Sequence, residues 1–303
     1  MDFPVFTIVT VATASFLAIR SAPPAPAANR VEVVRIAADG TVESLAAFAH
    51  ADVSSVARMK DGRIIAACQG YPPDDEKAFN RTAIRFSSDD GRTWTAATPI
   101  TVAGLDSGLA PPFDPTLVVL PDGRVRLYFI SYPTIDGRPG PTAVHSAISG
   151  DGIRFEFEPG IRLAAEGRVV VDAAAALHAG TFHLIVPDNG TPADFLGRRQ
   201  RGEPQSGGNG YHATSADGLA FTRVADLPLP SSRDRWFGNL LADGGTLLFF
   251  GTGPGPWPVA STDGMTWKAT AATVPVSGVD PAVVRLADGS WLVLSTREPS
   301  SAP

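Results

Sequence analysis

Four times the chain returns to the pattern S-x-D-G-x-x-[WF]: SDDGRTW from Ser88 to Trp94, SGDGIRF from Ser149 to Phe155, SADGLAF from Ser215 to Phe221 and STDGMTW from Ser261 to Trp267. One copy would be ambiguous, because Asp-Gly is a common hairpin turn and also a common neighbour of active-site acids. Four spaced copies define an internal repeat. A second turn precedes each of them, in MKDGRI at Gly62, LPDGRV at Gly123, LHAGTF at Gly180 and LADGGT at Gly244. A fifth, LADGSW at Gly289, has no partner before the chain ends, whereas RIAADGTVESL around Gly40 is a hairpin without a unit of its own.

Two hairpins per unit make four short strands, the content of a propeller blade. The first strand of a unit, as in TLVVL, PAVVRL and NLLA, is apolar throughout, as expected of a strand packed on both faces between neighbouring blades. The 30 glycines and 27 prolines agree with many tight turns. The expected fold is therefore all-β, a five-bladed β-propeller of four-stranded blades. The N-terminal hairpin, about Val31 to Phe48, would complete the blade begun by Val279 to Thr296 and leave no free edge there.

Residues 30–303 are assigned to this single domain. Residues 1–29 read as an export segment, a signal or an uncleaved anchor with an apolar run before Arg20, followed by a Pro/Ala linker. The expected location is periplasmic or extracellular, with membrane contact only through that segment. A net charge of -6 argues against nucleic acid as a partner. The one cysteine, Cys68, lies in the apolar RIIAACQG and reads as a buried thiol.

On these motifs the chain resembles the sialidase-type Asp-box (BNR repeat) β-propellers. Its five-bladed layout, with Asp-Pro opening first strands, is similar to the arabinanase, xylosidase and invertase glycosidases. The resemblance implies that the Asp-box turns, with Asp89, Asp90 and Asp263, are structural and lie opposite the active face. It also implies that chemistry belongs at the other end of the first strands, where each blade carries an acid: Asp52, Asp114, Asp172, Asp234 beside Arg235, and Asp280.

Glycoside hydrolysis needs one protonated and one ionised carboxyl group flanking the bond, and crowding of acids raises the pKa of some of them. Carried over by position, Asp52 would be the base and Asp114 the modulator. The third position departs from the family's Glu and holds Asp172, with Glu166 and Glu203 nearby. Asp52, Asp114 and Asp172 are thus the catalytic candidates. Asp234, Arg235, Asp280, Tyr71, Tyr132 and Arg297 are the substrate-binding candidates, the tyrosines either stacking on sugar or packing loops.

No organic cofactor is expected, and converging carboxylates leave a structural calcium open. Arg58, Arg85, Arg235 and Arg297 are candidate guanidiniums for an anionic sugar, with Arg58 and Arg285 read alternatively as surface residues flanking strands. The loop Pro187–His212 carries Arg198, Arg199 and Arg201 and reads as a lid or as a solvated loop. The functional expectation is an exported glycoside hydrolase-like protein acting on a carbohydrate in a central funnel by paired carboxylates. The alternative is a propeller of this class that binds glycan or protein without catalysis.

Overall fold

The computed structural model describes residues 29–201, 208–229, 234–255, 257–270, 274 and 278–297. The expected export segment and Glu203 lie outside the described residues. Five antiparallel sheets surround one axis, each with its first strand innermost. Blade 1 comprises Ala51–Arg58, Ile64–Gly70, Arg81–Ser87 and Thr98–Pro99. Blade 2 comprises Phe113–Val119, Val125–Ser131, Ala143–Ser149 and Arg154–Leu163, and departs from four strands because Thr101–Ala103 pairs in parallel with Arg154–Glu156.

Blade 3 runs through Ala174–His178, Thr181–Pro187, Gly210–Ser215 and Thr222–Arg223. Blade 4 runs through Arg235–Asp243, Thr246–Thr252, Val259–Ser261 and Lys268–Ala269. Blade 5 joins the chain's two ends. Its inner strands are Val279–Arg285 and Trp291–Arg297, its outer strands Arg30–Ile36 and Val42–Ala49. The closing ladder is unbroken from Arg30 opposite Arg297 to Ile36 opposite Trp291. The five inner strands touch in cyclic order, so no blade has a free inner edge.

The two faces follow from the ladders. In blade 1, Arg58 pairs with Ile64 and Ile64 with Ser87, which gathers both Asp-Gly turns at one end. Asp52 opposite Gln69 and Gly70 opposite Arg81 mark the other end, the mouth. Apolar side chains such as Ile64, Ile65, Leu127, Phe129, Leu184 and Phe249 fill the space between blades and are buried.

At the turn end the repeated serine and aspartate form a recurring hydrogen-bond lattice. Ser149 Oγ donates to Asp151 (3.0 Å) and accepts from Gly152 N–H (2.8 Å), while Asp151 accepts from the N–H groups of Ile153 and Arg154. Ser215 with Asp217 repeats all of it, and Ser261 with Asp263 repeats the serine–aspartate bond and the two backbone donors to the aspartate. The first copy corrects the sequence register. There Ser87 and Asp89, not Ser88 and Asp90, make these bonds, and Asp90 is an inserted residue at φ 56°.

These turns do more than close their own sheet. A Cβ on Gly91 would meet Leu292 of blade 5, one on Gly152 would meet Ile65 of blade 1, one on Gly218 would meet Arg126 of blade 2, and one on Gly264 would meet His183 of blade 3. Each turn therefore clasps the second strand of the preceding blade. Blade 2 answers with donors: Arg126 to Asp217 O (2.7 Å), Tyr128 to Gly218 O (2.9 Å) and Arg162 to Leu219 O (3.1 Å). The S-x-D-G repeat is thus a device between blades as well as a cap of the sheet it ends.

Candidate active site

The inner strands reach the mouth in an unusual backbone conformation. Positive φ occurs at Val53 (41°), Asp114 (47°), Asp172 (61°), Gly238 (153°) and Asp280 (52°), one residue in each blade. In four blades the ladder register shifts there, between Asp52 and Ser54, Phe113 and Thr116, Arg235 and Asn239, and Val279 and Ala282. Such bulges re-aim side chains. Asp tolerates the left-handed region better than most residues, whereas a β-branched Val53 there is strained. At Gly238 only glycine fits, since a Cβ would lie 2.1 Å from Phe250 O.

This backbone criterion re-aligns the mouth. Asp114, Asp172 and Asp280 are equivalent, but in blade 1 the position belongs to Val53 and in blade 4 to Gly238. Asp234 is a correction: it lies four residues ahead of the bulge, is buried, and its Oδ1 accepts Gly255 N–H at 2.6 Å. It anchors a blade 4 loop and does not line the axial cavity.

Asp114, Asp172 and Asp280 enclose that cavity with Ser54, Thr116 and Asn239. Its volume is about 10 Å³, room for about one water molecule. Asp52, Asp114 and Asp172 remain partly exposed, whereas Asp280 is 4% exposed. Three consecutive blades thus each contribute a half-buried acid, and blade 5 contributes a fourth that is almost sealed from solvent.

Their electrostatics follow from burial and crowding. Asp114 is held well above the usual carboxylate range by burial, then by the charges of Asp172 and Asp52, although the N–H of Asp172 donates to it. Burial and the Asp280 charge push Asp172 up to about 7 against the pull of Arg235. Burial also raises Asp52, opposed by donors from Asn29, whose Nδ2 lies 3.1 Å from Oδ2, and from the Tyr71 hydroxyl. Asp280 is raised by burial first and then by Asp114 and Asp52, while Ser54 N–H donates to it. Crowded carboxyls of this kind share protons and do not ionise together.

Of the other candidates, Tyr71 joins the acids through Asp52 and packs edge-on against Phe79. Tyr132 packs against Phe113 at 6.0 Å between ring centroids. Arg235 acts electrostatically on Asp172 and Asp280. Arg297 donates instead to Glu32 (2.7 Å) within blade 5. Arg58 is corrected to the turn end, where it pairs with Asp90 (2.8 Å); Arg85 covers the Phe48 ring, and Arg285 stacks on Trp291. Glu166 is exposed. Cys68 is buried, its thiol pushed up to about 12, which leaves it inert.

The loop after blade 3's second strand, expected as a lid or a solvated loop, contains a helix, Pro192–Gln200. Thr191 and Asp194 cap it reciprocally, and the Pro192 ring suits its first turn. It brings Arg199 within electrostatic reach of Tyr71, Asp114 and Asp172, residues of three blades. Among the described residues no group of three or more His, Cys, Asp or Glu side chains is arranged to hold a metal ion, so the calcium expectation finds no site there. Nor is any described helix long and apolar enough to cross a membrane.

No family model matches the sequence, and no curated protein matches it. Solved structures do resemble it. The α-L-arabinanase of Penicillium chrysogenum, complexed with arabinobiose, is 14% identical with a TM-score of 0.55 over 91% of this chain and 87% of that one. A GH32 β-fructofuranosidase of Bombyx mori is 13% identical with a TM-score of 0.54; 80% of this chain matches, which spans only 54% of the silkworm enzyme. A protein of unknown function from Dyadobacter fermentans is 18% identical with a TM-score of 0.50 over 80% of this chain and 74% of that one. At such identities the likeness is one of fold. The chain is a five-bladed β-propeller structurally similar to glycosidases of that architecture.

Proposed function

We propose that this protein is an exported glycoside hydrolase in which Asp172 donates the proton to the leaving oxygen and Asp52 activates the attacking group. Asp114, bonded to the Asp172 backbone, orients the pair. The observation that carries this reading is the pairing of unlike acids from blades 1 and 3, on either side of Asp114 in blade 2. Asp172, raised to about 7, is protonated at mildly acidic pH; burial raises Asp52 as well, but the donors from Asn29 and Tyr71 oppose that rise and favour its ionised form. Hydrolysis requires that division of roles. The similar arabinanase and fructofuranosidase support a carbohydrate as substrate, and the apolar run before Arg20 supports export.

A second reading, a glycan- or protein-binding propeller without turnover, is favoured by one feature. Asp114 and Asp280 each accept a backbone N–H from the neighbouring blade, a bond that also serves to lock blades together. The two readings separate on a panel of aryl arabinofuranosides, xylosides, fructofuranosides and a sialoside, assayed with the wild type, Asp52→Asn and Asp172→Asn. Turnover lost in both variants is the expected result. Saccharide binding without turnover of any substrate would instead establish the binding module.

A further inference from the structure

Asp280 is the mouth acid that the proposed hydrolysis does not use, and it is the one most sealed from solvent. Its backbone is fixed by Thr252 Oγ1, which accepts its N–H at 3.0 Å. Ser54 N–H, from blade 1, donates to its carboxylate. The other oxygen, Oδ2, is buried and has no protein partner; the same holds for Ser54 Oγ on a residue 6% exposed. Both residues line the axial cavity, whose remaining wall includes Asp114 and Asp172. A buried oxygen without a partner is costly, and a polar cavity of one-water size relieves that cost.

We propose that Asp280 and one water in the axial cavity form a proton store shared with Asp114 and Asp172. The inference rests on the reading of the mouth acids as the working site. In each transfer the O–H bond at Asp280 Oδ2 breaks as one forms on the water. The water releases a different proton to the Asp172 carboxylate, so that Asp280 ends as carboxylate, Asp172 as acid, and the water unchanged. The charged and titratable groups facing Asp280 are Asp114, Asp52 and Asp172, opposed by Arg235, with the Cys68 thiol also in electrostatic reach. Asp280 is therefore a positioning residue: it sets the protonation of acids that face the substrate without facing it itself.

The test is a titration of aspartate carboxyl carbons by NMR on the full chain, wild type against Asp280→Asn, beside the pH–rate profile. Asparagine keeps an acceptor for Ser54 N–H and a donor for the water, so the bulge is retained. The expected result is a fall of at least about one unit in the Asp172 midpoint and an equal shift of the basic limb of the profile. A crystal structure should place one water between Asp280 and Ser54. If Asp280→Asn fails to fold, Ser54→Ala removes the water's other partner and should move the midpoint in the same titration. An unmoved Asp172, an Asp280 that titrates in the ordinary carboxylate range, or a metal ion in the cavity would overturn the proposal. Coupled titration without turnover on any glycoside leaves the store standing and removes the hydrolase reading; turnover with an Asp280→Asn profile identical to wild type does the reverse.

Discussion

The propeller carries two rings of aspartates at opposite ends of its blades, and their surroundings are opposite. At the turn end Asp217 and Asp263 are exposed and Asp89 and Asp151 partly exposed, yet each accepts one serine hydroxyl and backbone N–H donors. Those donors hold all four below the usual carboxylate range, Asp89 and Asp217 at about 2. At the mouth the half-buried Asp52, Asp114 and Asp172 and the buried Asp280 crowd one another with few donors, and all four are raised. The same residue type is spent on architecture where it is saturated with donors, and remains reactive where it is starved of them.

The sharpest way to break this comparison is Asp172→Asn. Loss of the proton donor should lower turnover by about 100-fold or more. Stability should move the other way. Because the folded pKa of about 7 lies above the unfolded value, this carboxyl supports folding at low pH, and that contribution is lost as pH rises through 7. The variant should therefore match the wild type near pH 4 and exceed it near pH 8 by on the order of 2 kcal/mol, read from denaturant unfolding at both pH values. A variant less stable than wild type at pH 8 would make Asp172 a structural acid like those of the turns.

The glycines of the two turn types sharpen the comparison from the other side. Gly218 (φ 74°) faces Arg126 and Tyr128 of the preceding blade, whereas Gly62 (φ 90°) has nothing within 4 Å of an added Cβ. Alanine at Gly218 combines left-handed strain with a clash and should cost about 2–4 kcal/mol; alanine at Gly62 should cost only about 1. Equal losses in thermal unfolding would mean that the clasp between blades contributes little.

Turn chemistry was legible because it is local: a serine, an aspartate and a glycine within a few residues determine one hydrogen-bond lattice. The mouth was legible only where the same locality held, in Asp114-Pro115, Asp172 and Asp280-Pro281. What defines the mouth is a backbone bulge against the neighbouring strand. Val53 and Gly238 occupy it without any acid to announce it, so the nearest acids in the sequence, Asp52 and Asp234, lie one and four residues ahead of the bulge. Asp90 shifted the first turn for a similar reason, since an inserted acid beside the true one leaves the pattern superficially intact. The helix Pro192–Gln200 did have a local signal, Thr191-Pro192-Ala193-Asp194, obscured within a run rich in glycine and arginine.

Asp217→Ala probes the turn ring directly. With its folded pKa below the unfolded value, Asp217 supports folding above the ordinary carboxylate range, and that support is lost as pH falls through about 2. Alanine should cost about 1 kcal/mol at pH 7, the size of a lost side-chain cap, kept small by solvent screening. The deficit should vanish in acid, and turnover should be unchanged. A deficit that persists at pH 2 would place the aspartate's contribution in packing instead of in its charge.

The smallest effect is expected at Arg58→Gln, and it tests which end of the molecule works. Arg58 pairs with Asp90, and both are substantially exposed, with side chains 29% and 53% accessible. Exposed pairs of this kind contribute between zero and about 1 kcal/mol, so unfolding should shift by about half of that or less. Turnover and saccharide affinity should be indistinguishable from wild type, because the guanidinium lies a full strand length from the mouth acids. A selective loss of affinity for anionic glycosides in Arg58→Gln would mean that ligand approaches the turn end. In that case the donor-saturated aspartates, not the donor-starved ones, would border the site, and the division of labour between the two rings would be reversed.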